Sequence, residues 1–366
     1  MQDFSSHSGI LSINLKALAD NYSLFQETIG EGRDVAGVVK ANAYGLGLQP
    51  IVETLIDLGC PQFFVASLEE ALSLRAIHKN VPVAVLGGLF NGAEEDYITH
   101  NITPVLNTPD DIARWSKIAK DKNSPLAGIL HFDTGMNRLG LSKEEAHELI
   151  ENPQRLEGVN LQYVMTHFAC ADEKDHPLTK KQAHDFANLA QHFPNAKKSL
   201  ANSPGLFVDA AYHYDMVRPG FALYGGNPTP HTNNPMRSVV DLSVRILQIR
   251  LCKKGQTIGY GAGHLFEKDT PTATVALGYA DGFLRSASSK ATLYFNGQPC
   301  PVLGRVSMDL VTIDLSNIKG AMPKQGDALE ILGENQSVDD LAAAAGTIGY
   351  EILTSLGSRY AREYIK

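Results

Sequence analysis

The sequence predicts an α/β domain followed by a β domain: a (β/α)8 TIM barrel over residues 10–234 and a mainly β domain over residues 235–366. Three observations carry this. Eight short apolar runs bounded by turn residues recur before residue 220, amphipathic stretches of helical period lie between most of them, and beyond a turn-dense segment the period becomes strand-like. At 366 residues the chain is long enough for one large domain and a smaller one.

The apolar runs begin near Val35, Phe63, Val81, Thr103, Ala127, Leu161, Lys198 and Asp215, and read as buried parallel strands. Between them, Pro50 to Gly59 places proline at the start and glycine past the end of a short helix. Ser142-Lys-Glu-Glu145 forms a capping box ahead of the Leu149-Ile150 face. Strand alternating with helix implies a parallel sheet, and eight units imply a closed barrel whose chemistry sits at the C-terminal ends of the strands. Gly225 to Pro235 is dense in turn formers and reads as a linker. Val239–Ile249, Thr272–Leu277, Leu310–Leu315 and Ala328–Leu332 then read as strands of the second domain, with residues 1–9 left as a segment to pair with it.

Composition narrows the function classes. Lys and Arg total 32 against 40 Asp and Glu, a formal charge of -8, which gives no electrostatic footing for nucleic acid. The start, Met1-Gln-Asp-Phe-Ser-Ser-His, lacks a basic segment followed by an apolar core, and no apolar run reaches membrane-spanning length, so no membrane is expected as a partner and the cytoplasm is the expected location. Cys60, Cys170, Cys252 and Cys300 are scattered without a CxxC or Cys/His cluster; they read as packing residues, and no metal is expected.

Polar residues of functional type collect at the strand ends. Lys40 follows Val38-Val39; Asp133-Thr-Gly-Met-Asn-Arg138 follows the fifth run; Thr166-His167 ends the sixth; Ala201-Asn202-Ser203 ends the seventh; and Val217-Arg218-Pro-Gly220 ends the eighth. Singly, Asp133 and Ser203 read as turn and helix caps and His167 as a core histidine. Together they suit a planar, phosphorylated aromatic cofactor. Ser203 at a helix start and Gly220 would hold phosphate, Arg218 would face a ring nitrogen, His167 would stack on the ring or orient Arg218, and Lys40 would close an imine. A lysine amine does this only when burial or neighbouring cations lower its pKa from about 10.4.

Val38-Val-Lys-Ala-Asn-Ala-Tyr-Gly45 resembles the cofactor-lysine signature of the alanine racemases. The resemblance continues through Asp133–Gly140, Thr166–Ala169, Ala201–Ser203, Val217–Gly220, Ile258–Gly261, Gly278–Gly282, Gly304–Asp309 and Ile348–Glu351, covering nearly the whole chain. It implies interconversion of L- and D-alanine with pyridoxal 5′-phosphate held as a Schiff base on Lys40, supplying D-alanine for peptidoglycan. It also implies a homodimer whose sites combine one subunit's barrel with the other's β domain. By matching position, Tyr44, Ser203, Gly220, Phe221 and Tyr350 lie around the phosphate, Arg218 meets the pyridine nitrogen, and His167 and Asn202 belong to the same cofactor site. Arg138 and the backbone near Met308 hold the substrate carboxylate, and Tyr260 from the partner is the second base. Asp172, Tyr279, Arg285, Arg305 and Ile348 match an entry corridor.

Racemisation removes a proton from one face and returns one to the other, so the resemblance assigns the L-enantiomer's proton to Tyr260 and the D-enantiomer's to Lys40. Arg218 stays protonated, where a decarboxylase on the same barrel would have an acidic residue. Two positions depart from the family pattern. His131 stands where many members have a carbamate-bearing lysine, so Arg138 is expected to be positioned by neutral His131, a bound anion or water. Ser307 stands where a cysteine often precedes the methionine. A racemase of broader range, including serine, and a non-catalytic pyridoxal-phosphate carrier are the alternatives.

Overall fold

A computed structural model describes residues 7–366; residues 1–6 of the segment expected to pair with the β domain lie outside the described residues. Gly37–Val38, Phe63–Val65, Val83–Val85, Thr103–Leu106, Leu126–His131, Val159–Met165 and Lys197–Ser199 form one parallel sheet in sequence order. Met216–Val217 pairs in parallel with Asp34–Val35, just ahead of Gly37–Val38. On its other side, Asp215 N donates to Lys198 O at 3.1 Å and Arg218 N to Ala201 O at 2.9 Å. These bonds close the curled sheet into the eight-stranded barrel. Phe63–Val65 and Val83–Val85 are buried throughout, as a sheet covered on both faces requires. The capping box also forms: Ser142 Oγ accepts the Glu145 N–H at 3.2 Å, and the Glu145 carboxylate accepts the Ser142 N–H at 2.8 Å.

The second domain is a closed antiparallel sheet. Thr270–Ala276, Leu310–Asp314, Gln298–Leu303, Thr292–Phe295, Ala328–Leu332 and Val240–Cys252 are neighbours in that order, and the last returns to pair with the first. Val240–Cys252 serves both sides because its register shifts between Ile246 and Gln248, a bulge that bends the strand. Gly9–Asn14 inserts between Val240–Cys252 and Ala361–Ile365, with Leu11 and Ile13 pointing into the core. Residues 10–14, grouped with the barrel on sequence alone, therefore sit in the second sheet. The chain's end also reaches the barrel mouth: Tyr364 Oη donates to Leu46 O at 2.9 Å and Arg362 Nη2 to Gly45 O at 3.0 Å.

Candidate active site

At the mouth of the barrel a cavity of about 240 Å³ is lined by Lys40, Tyr44, Arg138, His167, Asn202, Ser203, Arg218, Gly220, Phe221 and Tyr350, with Val38, Phe64 and Leu86 as its apolar wall. Ten residues singled out in the sequence thus meet in one place. Lys40 enters it from a left-handed turn: Ala41, Asn42, Ala43 and Tyr44 all have φ between 52° and 56°. Ala43 N–H bonds to Val39 O at 2.9 Å and Gly45 N–H to Ala41 O at 2.8 Å, which fixes the turn. Burial holds the Lys40 amine below the ordinary lysine range and the Arg138 guanidinium lowers it further, with Glu70 partly opposing. Less cost to losing its proton makes the amine a better nucleophile.

Arg218 is buried and anchored on one side. Its Nη1 donates to Ser199 Oγ and its Nη2 to Thr166 O, while Nε–H has no acceptor among the described residues. Burial pulls its pKa down to about 10, so it remains a cation and a donor at neutral pH. Ser203 Oγ accepts the Gly220 N–H at 3.0 Å, which leaves the hydroxyl hydrogen to donate elsewhere. The helix cap expected of Ser203 is supplied instead by Asn202, whose Oδ1 accepts the Gly205 N–H at 3.0 Å. A Cβ on Gly220 would lie 2.3 Å from Tyr44 Oη. Phe221 and Tyr350 stack at 4.1 Å, closing the cavity with Tyr44 beside them. A cationic donor, a hydroxyl, a glycine cradle and a neutralisable lysine fit a phosphorylated aromatic aldehyde.

Arg138 is delivered by a turn that Asp133 organises: its Oδ1 accepts the N–H groups of Gly135, Met136 and Asn137 at 2.8, 2.9 and 3.1 Å. His167 is half-buried at the cavity wall, and burial with Arg218 and Arg138 keeps it neutral, its pKa well below the usual imidazole range. Gln182 Nε2 donates to His167 O at 2.9 Å and its Oε1 accepts the Ala169 N–H at 2.9 Å, so a buried amide fixes the histidine's backbone.

Tyr260 and Met308 do not line this cavity. They are 73% and 51% exposed on the β domain, and Tyr279 and Ile348 are exposed as well. Arg305 packs beneath the Tyr260–Ala262 turn, its Nη1 3.0 Å from where a Cβ on Gly261 would be. Sequence reasoning missed the residues that support the site. Asn107 lies just past Thr103–Leu106 at a strand end, a position that could have marked it, whereas Glu70 and Gln182 sit within helices and carry no such signal. It also missed a loop cluster in which ligand-type atoms of Cys170, Glu173 and His176 lie within 4.8 Å of one another; there His176 Nδ1 caps the following helix, accepting the Leu178 N–H at 3.2 Å.

Comparison with known proteins agrees with this geometry. Residues 13–228 match the family model described as alanine racemase, N-terminal domain, and residues 239–364 the one described as alanine racemase, C-terminal domain. An alanine racemase of Rhodospirillum rubrum is 45% identical over 358 residues, covering 98% of this chain and 96% of that protein. A protein of Mesorhizobium japonicum named as a catabolic alanine racemase is 43% identical over 97% of this chain and 93% of its own length. The crystal structure of alanine racemase from Bartonella henselae with covalently bound pyridoxal phosphate superposes with a TM-score of 0.94 at 38% identity, over 98% of this chain and 99% of that one.

Proposed function

The chain belongs to the alanine racemase family across both of its domains, and from that premise we propose that it interconverts L- and D-alanine using pyridoxal 5′-phosphate bound at Lys40. The observation that carries this reading is the convergence of Lys40, Arg218, Ser203, Gly220 and Arg138 on one cavity. When bound, the cofactor supplies a conjugated, electron-withdrawing ring that acidifies the substrate's α-hydrogen. The residues of this chain do the rest. Ser203 O–H and the tyrosines Tyr44 and Tyr350 would hold the phosphate. The Arg218 guanidinium, whose Nε–H has no protein acceptor, would donate to the ring nitrogen and, staying cationic, would leave it unprotonated. A cationic donor there would favour return of the α-proton over decarboxylation or transamination.

Arg138 binds the substrate carboxylate, aided by the backbone near Met308 of the partner subunit. Lys40 Nζ removes or delivers the proton on one face, and Tyr260 of the partner subunit does so on the other. The exposure of Tyr260 and Met308 in a single chain supports a homodimer in which each site is completed by its neighbour. The role proposed is supply of D-alanine for peptidoglycan in the cytoplasm; among the described residues no helix is long and apolar enough to cross a membrane. Incubation with each enantiomer of alanine and of serine in deuterated water tests the reaction: α-deuterium in both alanine enantiomers, with serine far slower, is expected. Borohydride reduction should attach the cofactor at Lys40, and attachment elsewhere would refute the site. A strain lacking the gene should require D-alanine for growth.

A further inference from the structure

The loop that joins Val159–Met165 to the helix Pro177–Ala190 carries a second set of groups with ligand chemistry. A thiol, a carboxylate and an imidazole, from Cys170, Glu173 and His176, present ligand-type atoms that all lie within 4.8 Å of one another. The backbone sets this spacing. Glu173 N donates to Cys170 O at 3.2 Å, His176 N to Glu173 O at 3.4 Å and Thr179 N to His176 O at 3.1 Å, so the three residues open consecutive turns of equal size. Asp175, just before His176, takes the left-handed conformation at φ 55°. Buried Thr179 ties the far end of the loop to its start, its Oγ1 donating to Cys170 O at 3.1 Å.

Cys170 and His176 are half-buried and Glu173 is exposed, so an ion can reach them from solvent. Glu173 and His176 also line a cavity of about 270 Å³ that shares no lining residue with the one holding Lys40. Three carboxylates, Asp172, Glu173 and Asp175, line it against two amines, Lys174 and Lys180, so its wall does not repel a cation.

We propose that Cys170, Glu173 and His176 bind one divalent cation of the zinc class, with water completing a four-coordinate site. A thiolate beside an imidazole and a carboxylate suits zinc, whereas calcium and magnesium take oxygen ligands. Ligand atoms around tetrahedral zinc stand about 3.3–3.8 Å apart, so the exposed Glu173 side chain closes the remaining gap by changing rotamer. His176 Nδ1 accepts the Leu178 N–H at 3.2 Å, which places the hydrogen of the neutral ring on Nε2. A cation at Nε2 moves that hydrogen to Nδ1, and a cation at Nδ1 takes the lone pair itself. Either way the Leu178 N–H loses its acceptor. Loss of one helix cap weakens binding by about fivefold, which a thiolate ligand outweighs. Ligation also releases the Cys170 thiol proton to solvent.

A titration of holoenzyme with Co²⁺, its thiols kept reduced by a phosphine, tests this. Wild type should develop, with one ion bound per chain, a thiolate-to-cobalt charge-transfer band and the intense d–d absorption of a four-coordinate ion, read as differences from the metal-free spectrum. Zinc should abolish both, and calcium and magnesium neither. Cys170→Ser should lose the charge-transfer band and bind zinc roughly a hundredfold more weakly, and Glu173→Gln and His176→Gln should bind it roughly tenfold more weakly. Cys252→Ser, which removes the other half-buried thiol, should behave as wild type. In ¹⁵N-histidine protein, zinc should shift the ring nitrogens of His176, assigned by their loss in His176→Gln. Absence of a thiolate band in wild type overturns the proposal, as does a band that survives Cys170→Ser. Unchanged zinc affinity in Glu173→Gln and His176→Gln overturns it too. Should Cys170→Ser not fold, the wild-type nitrogen spectrum decides: zinc that leaves the His176 nitrogens unmoved refutes the site.

Discussion

The Glu70 carboxylate accepts the backbone N–H of Ala41 at 2.6 Å through one oxygen and that of Ala66 at 2.8 Å through the other. It thereby ties the turn after Lys40 to the end of the second barrel strand, and its charge partly offsets the burial and the Arg138 field that lower the Lys40 pKa. Glu70→Gln removes the charge and turns one acceptor into a donor facing an N–H. The Lys40 amine should then lose its proton at still lower pH, and in Arg138→Gln at higher pH. The check is the pH midpoint of Lys40 acylation in cofactor-free protein, read by peptide mass spectrometry. A wild-type midpoint no lower than that of surface lysines would refute the assignment. Losing these bonds should also cost about 1–2 kcal/mol in a denaturant titration.

The turn itself is strained. Ala41 has φ 53° and is exposed, so its side chain gains little from packing while occupying a region that disfavours a Cβ. Ala41→Gly should raise stability by about 0.5–1 kcal/mol, even though glycine is the more flexible residue in the unfolded chain. Ala41→Val should lower it by about 1 kcal/mol or more, because a branched Cβ is least tolerated there. Urea midpoints for the two variants should fall on opposite sides of wild type.

The barrel was legible in the sequence because strands such as Phe63–Val65, Val83–Val85 and Thr103–Leu106 are buried throughout and so read as largely apolar runs. The run placed near Val81 appears as Val83–Val85 and that near Asp215 as Met216–Val217, shifts of one or two residues at frayed ends. Gly9–Asn14 was harder: its alternation marks a strand, but only folding shows that its partners are Val240–Cys252 and Ala361–Ile365, hundreds of residues away. In the site, residues at strand ends were legible by position. Glu70, Asn107 and Gln182 act by single hydrogen bonds to backbone or ring atoms, and such bonds leave no periodic trace in a sequence.

Lys40 and Tyr260 offer a direct test of the shared site, since Tyr260 is 73% exposed in the single chain and absent from its cavity. Lys40→Ala and Tyr260→Phe homodimers should each be inactive in racemisation. After subunit exchange, about half the dimers are mixed and one of their two sites has both bases, so activity should return to about a quarter of wild type. If each site were built from one chain, mixing would restore nothing.

Gly220 gives a steric test of cofactor binding. An added Cβ meets Tyr44 Oη at 2.3 Å, and the neighbouring N–H is committed to Ser203 Oγ. Tyr44 must move, at about 1–3 kcal/mol by the usual cost of overpacking. Gly220→Ala should therefore bind pyridoxal phosphate roughly tenfold or more weakly in an absorbance titration, with its secondary structure retained. Unchanged affinity would place the phosphate elsewhere.

His131 also sets how stability responds to acid. The folded protein holds its imidazole neutral to about pH 4, by burial first and then by Arg218, whereas the unfolded chain takes up a proton near the ordinary value of 6.5. Between these limits the unfolded state binds the extra proton, so stability falls as pH drops through 6.5 and the loss is complete below about 4. From pH 7 to pH 5 this residue alone should remove about 2 kcal/mol. Gln cannot take up the proton, so His131→Gln should be flatter by that amount, whatever its stability at pH 7. His167, held neutral first by burial and then by Arg218 and Arg138, contributes with the same sign in both proteins, and because His131 is a lesser influence on it most of its part drops out of the difference. Urea titrations of wild type and variant at the two pH values measure it. Parallel pH dependences would mean that His131 is protonated in the folded state.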